Sequence, residues 1–209
     1  MSPESLSFAP WTTLALFAFT MSITPGPNNL MLTVTGAQFG LRATVPVMAG
    51  ILAGMCLLIG LAGAGVAVLM LEAPGLEPTL RVLGLGYLLW LAWKLCAPGA
   101  RLDTRAIRRP LTAAEAVLFQ FANPKAWMMA ITAATSFLPG LLPVTAGNQT
   151  TATLAIMLCF MLIAGPCIAC WAILGAALQN QLQRGSRLRQ FNTIMGLLLA
   201  VTALGMIGV

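Results

Sequence analysis

Six long apolar stretches occupy most of this 209-residue chain. A helix needs about 20 apolar residues to cross the hydrocarbon core of a bilayer. The stretches that reach this length lie at about residues 10–35, 43–71, 79–97, 113–138, 151–178 and 191–208. Because lipid offers no hydrogen-bond partners, such stretches satisfy their backbone groups as helices. The sequence therefore predicts an all-α integral membrane protein with six transmembrane helices.

The composition agrees with a bilayer environment. Hydrophobic residues make up 59% of the chain and charged residues only 8%, whereas about a quarter of a soluble domain is charged. The linkers are short, so residues 1–209 are predicted to form a single transmembrane domain. The N-terminus lacks the basic region of a cleavable signal peptide, so the first apolar stretch is expected to be retained.

The basic residues are distributed unevenly between the two sides of the six-helix arrangement. One side carries Arg42, Lys94, Arg101, Arg105, Arg108, Arg109, Arg184, Arg187 and Arg189. Only Arg81 falls on the other side, beside Glu72 and Glu77. Loops rich in Lys and Arg face the cytoplasm, so both termini are expected outside. The net charge of +6 then indicates contact with anionic lipid headgroups, not with nucleic acid.

The first apolar stretch is interrupted near its middle by the run Thr24-Pro25-Gly26-Pro27-Asn28-Asn29. Proline removes an N–H donor and clashes with the carbonyl four residues earlier. The first half-helix should therefore end near Thr24. Pro27 suits the first position of a second half-helix, with Gly26 as its cap.

The fourth stretch has a matching interruption at Asn123-Pro124-Lys125. Asn123 is a favoured helix cap and Pro124 suits the first helical position. In an alignment of the two halves Pro27 falls on Pro124 and, at the same offset, Met31 falls on Met128. A weaker match at an offset of 110 places Gly86 on Gly196. The pattern predicts two three-helix repeats, about 8–97 and 113–209. Because three is odd, the second repeat must enter the membrane from the opposite side, as in many inverted-repeat transporters.

Residues at the two breaks are the candidate substrate-binding residues. A half-helix N-terminus leaves unpaired N–H groups and a partial positive charge, which suit the anionic end of a small solute. The predicted site comprises Pro25, Gly26, Pro27, Asn28, Asn29, Asn123, Pro124 and Lys125. The alternative is that the prolines only kink packed helices and that the asparagines only cap or bridge them.

Lys125 is the one basic residue placed near the bilayer centre, where a charge is costly. It could pair with a substrate carboxylate, or it could carry a proton, since desolvation disfavours the charged form. Alternatively, it reaches out to lipid headgroups from a break that lies nearer the interface.

Other functional classes find less support. The Cys167-x-x-Cys170 spacing would suit a membrane thiol–disulfide relay, although buried cysteines commonly serve as packing residues. The chain contains no histidine, and no metal site, catalytic dyad or cofactor site can be assembled from its residues. An enzyme is therefore not expected. A passive channel stays open, and flux against a gradient distinguishes it from a coupled transporter.

The motifs resemble those of the LysE/RhtB family of bacterial amino-acid exporters. The run from Thr24 to Leu30, the Asn123-Pro124-Lys125 motif and Gly84-Leu85-Gly86-Tyr87-Leu88 are similar to that family's signatures in order and spacing. The run from Tyr87 to Lys94 is similar to the cysteine/O-acetylserine branch.

The resemblance implies proton-driven export of a small amino acid or derivative across the bacterial inner membrane. Cysteine, O-acetylserine, threonine and homoserine are among the substrates it implies, and no acidic residue lies near either break to favour a cationic one. The resemblance is also compatible with a homodimer.

Overall fold

The structure is a computed structural model that describes residues 8–66, 76–96, 109–141, 148–182 and 187–205, and these residues contain helices without any strand. The helices are α1 Phe8–Ile23, α2 Pro27–Phe39, α3 Leu41–Leu61, α4 Leu76–Cys96, α5 Ala113–Phe121, α6 Pro124–Thr132, α7 Gln149–Leu182 and α8 Arg187–Gly205. A wider π-helical turn follows α3 over Ala62–Val66, with a kink at Gly65, whose φ is 90°. Another extends α6 over Ala133–Phe137, before a last turn at Leu138–Leu141. The predicted all-helical class is confirmed.

Three helices of the described ranges are long and apolar enough to cross a membrane. They are Leu41–Gly65, Gln149–Leu182 and Arg187–Gly205, and Pro10–Ile23 forms a shorter apolar helix. α7 is longer at both ends than the predicted 151–178 stretch, and Pro166 lies inside the helix without ending it. The count of six spans stays a prediction.

Much of the outer surface is apolar. On α7 the side chains of Leu154, Leu158 and Leu162 are exposed, and Leu197 and Val201 are exposed on α8. A water-soluble monomer rarely exposes such a continuous apolar surface. These helix faces are suited to contact with lipid tails.

The orientation of the chain depends largely on residues outside the described ranges. Arg101, Arg105, Arg108 and Arg184 lie there, as do both chain ends. The positive-inside asymmetry and the outward termini therefore remain predictions.

Both predicted helix breaks are present. α1 ends at Ile23, and α2 begins at Pro27 with Gly26 as its N-cap in extended backbone. α5 ends at Phe121, and α6 begins at Pro124 with Asn123 as its N-cap. We call residues 24–26 the first break and residues 122–123 the second break.

The half-helix α2 lies at the centre of the molecule. Residues 29–38 are all buried, so this helix has no exposed face. Its closest neighbour is α7, and it also packs on α3 and α8. Glycines allow the close approach to α7, since a Cβ at Gly36 would meet the Ala172 carbonyl and one at Gly175 would meet the Thr33 carbonyl.

The helices of the two predicted repeats exchange partners. α1 and α2 pack mainly on α7 of the second half, while α5 packs mainly on α3 of the first half. α4 packs on α8, which is its counterpart in the sequence alignment. This reciprocal packing brings the two breaks to the same region of the fold.

A capping box fixes the start of α5. The Thr112 hydroxyl accepts a hydrogen bond from the Glu115 N–H at 3.2 Å, and the Thr112 N–H donates to Glu115 Oε2 at 2.9 Å. Arg109 donates to both carboxylate oxygens, at 2.7 and 2.6 Å. These hydrogen bonds and the negative charge raise the pKa of the Arg109 guanidinium. The ion pair and the cap set where the second broken segment begins.

Candidate functional site

The carbonyl groups freed at the first break have side-chain partners. Asn29 Nδ2 donates to the carbonyl oxygens of Ser22 and Thr24, both at 2.8 Å. Trp171 Nε1, from α7, donates to the Ile23 carbonyl at 3.1 Å. An unpaired carbonyl in an apolar interior costs free energy, so these contacts stabilise the interruption of the helix.

The second break has its own local partners. Asn123 Oδ1 accepts a hydrogen bond from the Lys125 N–H at 3.1 Å, which is an N-cap contact. Trp127 Nε1 donates to the Phe121 carbonyl at 2.9 Å. Asn123 therefore caps α6, which is the alternative role that the sequence left open for it.

The two breaks are joined by three amide side chains. Asn28 and Gln120 exchange hydrogen bonds, with Asn28 Nδ2 to Gln120 Oε1 at 2.9 Å and Gln120 Nε2 to Asn28 Oδ1 at 3.1 Å. Asn123 Nδ2 also donates to Asn28 Oδ1 at 3.1 Å. Asn28 and Asn123, both named as candidate site residues, thus meet directly although they are distant in the sequence.

Sequence reasoning missed Gln120, which is fully buried in α5. The sequence feature that could have identified it is its position as an isolated amide in an apolar helix, one turn before Pro124. Such a side chain needs a partner inside a membrane protein, and Asn28 supplies it.

Lys125 reaches across to the first break. Its Nζ donates to Thr24 Oγ1 at 2.9 Å and lies 3.3 Å from the Thr24 carbonyl oxygen and 3.5 Å from that of Pro25. The ammonium group therefore sits at the C-terminal end of α1, where the helix dipole is negative. The Lys125 side chain therefore points towards the first break. It does not extend outward to the lipid headgroups, which was the alternative interpretation of the sequence.

Gly26 makes room for this lysine. Its backbone is fully extended, a conformation open to any residue. A Cβ at this position would lie only 3.2 Å from both Cδ and Nζ of Lys125. The absence of a side chain at Gly26 is therefore explained by the lysine and not by backbone strain.

A cavity of about 40 Å³ opens between the two breaks. Its polar wall is formed by Ser22, Asn28, Asn29, Asn123 and Lys125. Its apolar wall comes from α1, α3, α6 and α7, by way of Met21, Ile51, Leu52, Met55, Ala126, Met129, Ala164 and Ile168. The cavity has room for a few water molecules. Among the residues that the structure describes, one cationic group and no acidic group lines it.

The predicted site residues occupy different positions around this cavity. Gly26, Pro27, Asn28, Asn29, Asn123 and Lys125 line it. Pro25 and Pro124 do not, and Pro25 is exposed. These two prolines act by shaping the breaks, and Pro25 also offers its carbonyl to Lys125.

The two half-helix N-termini differ. At α6, the Asn123 side chain already occupies the Lys125 N–H. At α2, the N-cap is Gly26 and no side chain caps the first turn, and the first N–H groups of a helix have no partner within it. The start of α2 is therefore the one that can accept an anion without losing an existing bond.

The cysteines of the Cys167-x-x-Cys170 motif lie apart from the cavity. Both are free thiols on α7, with Cys167 buried and Cys170 exposed, and neither lines the cavity.

Comparison with known proteins gives the family. The family model described as LysE type translocator matches residues 19–207. A cysteine/O-acetylserine efflux protein of Salmonella typhimurium (strain LT2) is 32% identical over 204 residues, 97% of each chain. One of Escherichia coli (strain K12) is 29% identical over 204 residues, again 97% of each chain. No solved structure gives a significant match.

The match covers both breaks and all the residues that join them. The resemblance read from the proline motifs is thereby confirmed. The chain belongs to the LysE type translocator family and is a membrane transporter, not an enzyme.

Proposed function

We propose that this protein exports small neutral amino acids or their derivatives from the bacterial cytoplasm, with cysteine and O-acetylserine as the leading substrates. The observation that carries the proposal is the meeting of two broken helices around a cavity with one polar and one apolar wall. The relatives named above are efflux proteins for these two compounds. Within the described ranges no carboxylate lines the cavity to pair with a second positive charge on the substrate, which favours neutral substrates.

The proposed architecture has six spans arranged as two inverted repeats in the inner membrane, with both termini outside. The exchange of partners between α1–α2 and α7, and between α5 and α3, supports it. The matching breaks and the uneven distribution of arginines support it independently. In such folds a substrate site lies at the midplane beside discontinuous helices, and the two halves rock around it.

The proposed site places the substrate carboxylate at the start of α2, near Lys125. Backbone N–H groups at a helix N-terminus and the positive end of its dipole favour an anion. The Lys125 ammonium is held by the Thr24 hydroxyl and by carbonyl oxygens of the first break. A carboxylate that competes for this ammonium group would loosen the contact between the two breaks. Binding and opening would then be coupled.

Lys125 is also the candidate for coupling to protons. Of the described residues that line the cavity it is the one with an ionisable side chain, and loss of its proton would remove the charge from the C-terminal end of α1. Import of a proton along its gradient could then drive export of the substrate by alternating access.

The proposal is tested with inside-out vesicles that contain the overproduced protein. Labelled O-acetylserine or cysteine should accumulate inside when respiration acidifies the lumen, and an uncoupler should abolish the accumulation. Equilibration without accumulation would indicate the passive channel. Vesicles that take up neither compound above the level of empty controls would contradict the proposed substrates.

Lys125→Met should reduce this uptake to background while the protein still inserts and folds, because the ammonium group at the first break is lost. The chain offers a matched control in its other lysine, Lys94, which lies over the Trp90 ring at 3.9 Å. Lys94→Met should keep uptake within about twofold, since an exposed cation–π contact contributes only about 0.5–1 kcal/mol. Full uptake by Lys125→Met would remove this residue from the mechanism.

A further inference from the structure

Ser22, near the end of α1, has a buried hydroxyl group without a partner. Its side chain is only 6% exposed. Within the described ranges two buried side-chain polar atoms lack a hydrogen bond, Ser22 Oγ and Gln38 Oε1. Of these two residues, Ser22 is the one that lines the cavity between the breaks. A buried hydroxyl without a partner costs free energy, so its position calls for an explanation.

Other hydroxyl groups in this fold bond back to their own helices. The hydroxyls of Thr33, Thr44 and Thr153 donate to the carbonyl four residues earlier, at 2.8, 3.0 and 2.9 Å. This local bond is the ordinary solution for Ser and Thr in a helix. Ser22 lies in the last turn of α1 but does not form it.

The backbone of Ser22 is held beside the start of α2. Its carbonyl accepts a hydrogen bond from Asn29 Nδ2 at 2.8 Å, and Asn29 belongs to the first turn of α2. The hydroxyl therefore shares the cavity with the uncapped end of α2 and with Lys125. Three kinds of donor meet there: backbone N–H groups, an ammonium group and a hydroxyl.

We propose that the Ser22 hydroxyl donates a hydrogen bond to the substrate carboxylate, as the side-chain donor that completes the site at the start of α2. This inference rests on the proposed function. A carboxylate has two oxygens and about four acceptor positions, more than the first turn of α2 can fill after Pro27 has removed one N–H. The hydroxyl supplies a further donor, and the carboxylate supplies the partner that Ser22 lacks.

The test uses Ser22→Ala, which removes the donor and little else. Purified full-length protein is reconstituted into liposomes, and uptake of labelled O-acetylserine is inhibited with unlabelled L-alanine, L-serine or L-alaninamide. Alanine has no side-chain heteroatom and alaninamide has no carboxylate. The three compounds therefore distinguish a contact of Ser22 with the carboxylate from a contact with the substrate side chain. Ser136→Ala, at an exposed serine after α6, is the matched control.

Ser22→Ala should raise the inhibition constants of alanine and serine by the same factor, about tenfold for a lost hydrogen bond to a charged group. The inhibition constant of alaninamide should rise by a smaller factor, because its neutral carbonyl oxygen is a weaker acceptor than a carboxylate. The melting temperature should stay the same or rise, because no protein partner is lost. Ser136→Ala should match the wild type throughout.

An unchanged inhibition constant of alanine in Ser22→Ala would overturn the inference. This holds also if the inhibition constant of serine rises, because Ser22 would then contact the serine side chain and not the carboxylate. A lower melting temperature with uniformly weaker binding of all three compounds, alaninamide included, would also overturn it and assign Ser22 a structural role. Wild-type liposomes that transport no labelled compound would instead contradict the proposed function on which the inference rests.

Discussion

At the scale of single residues, the first break provides a hydrogen-bond acceptor and space for the side chain of Lys125. Lys125 follows the second break in the chain, and its Nζ donates a hydrogen bond to the Thr24 hydroxyl. The lysine side chain lies against Gly26, where there is no Cβ to obstruct it. The requirement for glycine here is steric and depends on a residue about a hundred positions away. Backbone conformation at Gly26 does not impose it, since the chain is extended there.

Gly26→Ala should therefore reduce transport by about tenfold, the cost of weakening one hydrogen bond to a charged group, while the protein remains folded. The added Cβ would push on Cδ and Nζ of Lys125, each 3.2 Å away. Uptake into vesicles and the melting temperature measure the two effects separately. Gly86→Ala is the control, because a Cβ there meets nothing within 4 Å. Equal transport by both variants would show that Lys125 tolerates displacement.

At the scale of helices, α2 is the element on which the site depends. It is buried on all sides, and two of its amide side chains donate hydrogen bonds to other helices. Asn29 bonds to the end of α1, and Gln38 Nε2 donates to Asn192 Oδ1 of α8 at 3.1 Å. Its position along α7 determines where its uncapped N-terminus, and hence the proposed anion site, lies in the fold.

Gly175→Ala should destabilise the protein by about 1–3 kcal/mol, the usual cost of overpacking a close contact. The new Cβ would meet the Thr33 carbonyl and force α2 away from α7. Thermal unfolding in detergent measures the change as a lower melting temperature. Gly165→Ala, on the same helix, should leave that temperature unchanged or raise it, since the nearest atom to its Cβ is 3.9 Å away and alanine favours helix. A Gly175→Ala protein as stable as the wild type would show that the two helices can separate freely.

At the scale of the whole molecule, the two halves of the predicted repeat pack differently. Gly196 lies in the contact between α8 and α4, where a Cβ would meet Cys96 Sγ and the Ala92 carbonyl, whereas a Cβ at its aligned partner Gly86 meets nothing. Met31 is buried, and its partner Met128 is exposed. A central first half-helix and a peripheral counterpart are compatible with an approximate two-fold relation, not a strict one.

The six-span arrangement predicts which sites a membrane-impermeant thiol reagent reaches. In a variant that lacks the five native cysteines, a cysteine at Ser2 or Val209 should be labelled in intact spheroplasts. A cysteine at Arg105 should be labelled only after lysis, because its loop is predicted to face the cytoplasm. Labelling of Ser2 and Val209 from opposite sides would establish an odd number of spans and contradict the inverted repeat.

What the sequence determined by itself was local. Helix type followed from apolar length, and the break positions followed from proline, which removes a donor wherever it stands. Asn123 was recognisable as a cap because capping involves neighbours in the chain. The family motifs were likewise recognisable before any coordinates. These features need no knowledge of what packs against them.

The tertiary structure alone decided which groups meet between the breaks. The Asn28–Gln120 pair, the contact of Lys125 with Thr24 and the buried hydroxyl of Ser22 all depend on how α5 and α6 lie against α1 and α2. A polar side chain inside a membrane protein needs a partner, but the sequence does not specify which one. The partner is determined when the halves pack together. Whether a hydrogen bond forms depends on differences of a few tenths of an ångström in the distance between segments that are far apart in the chain.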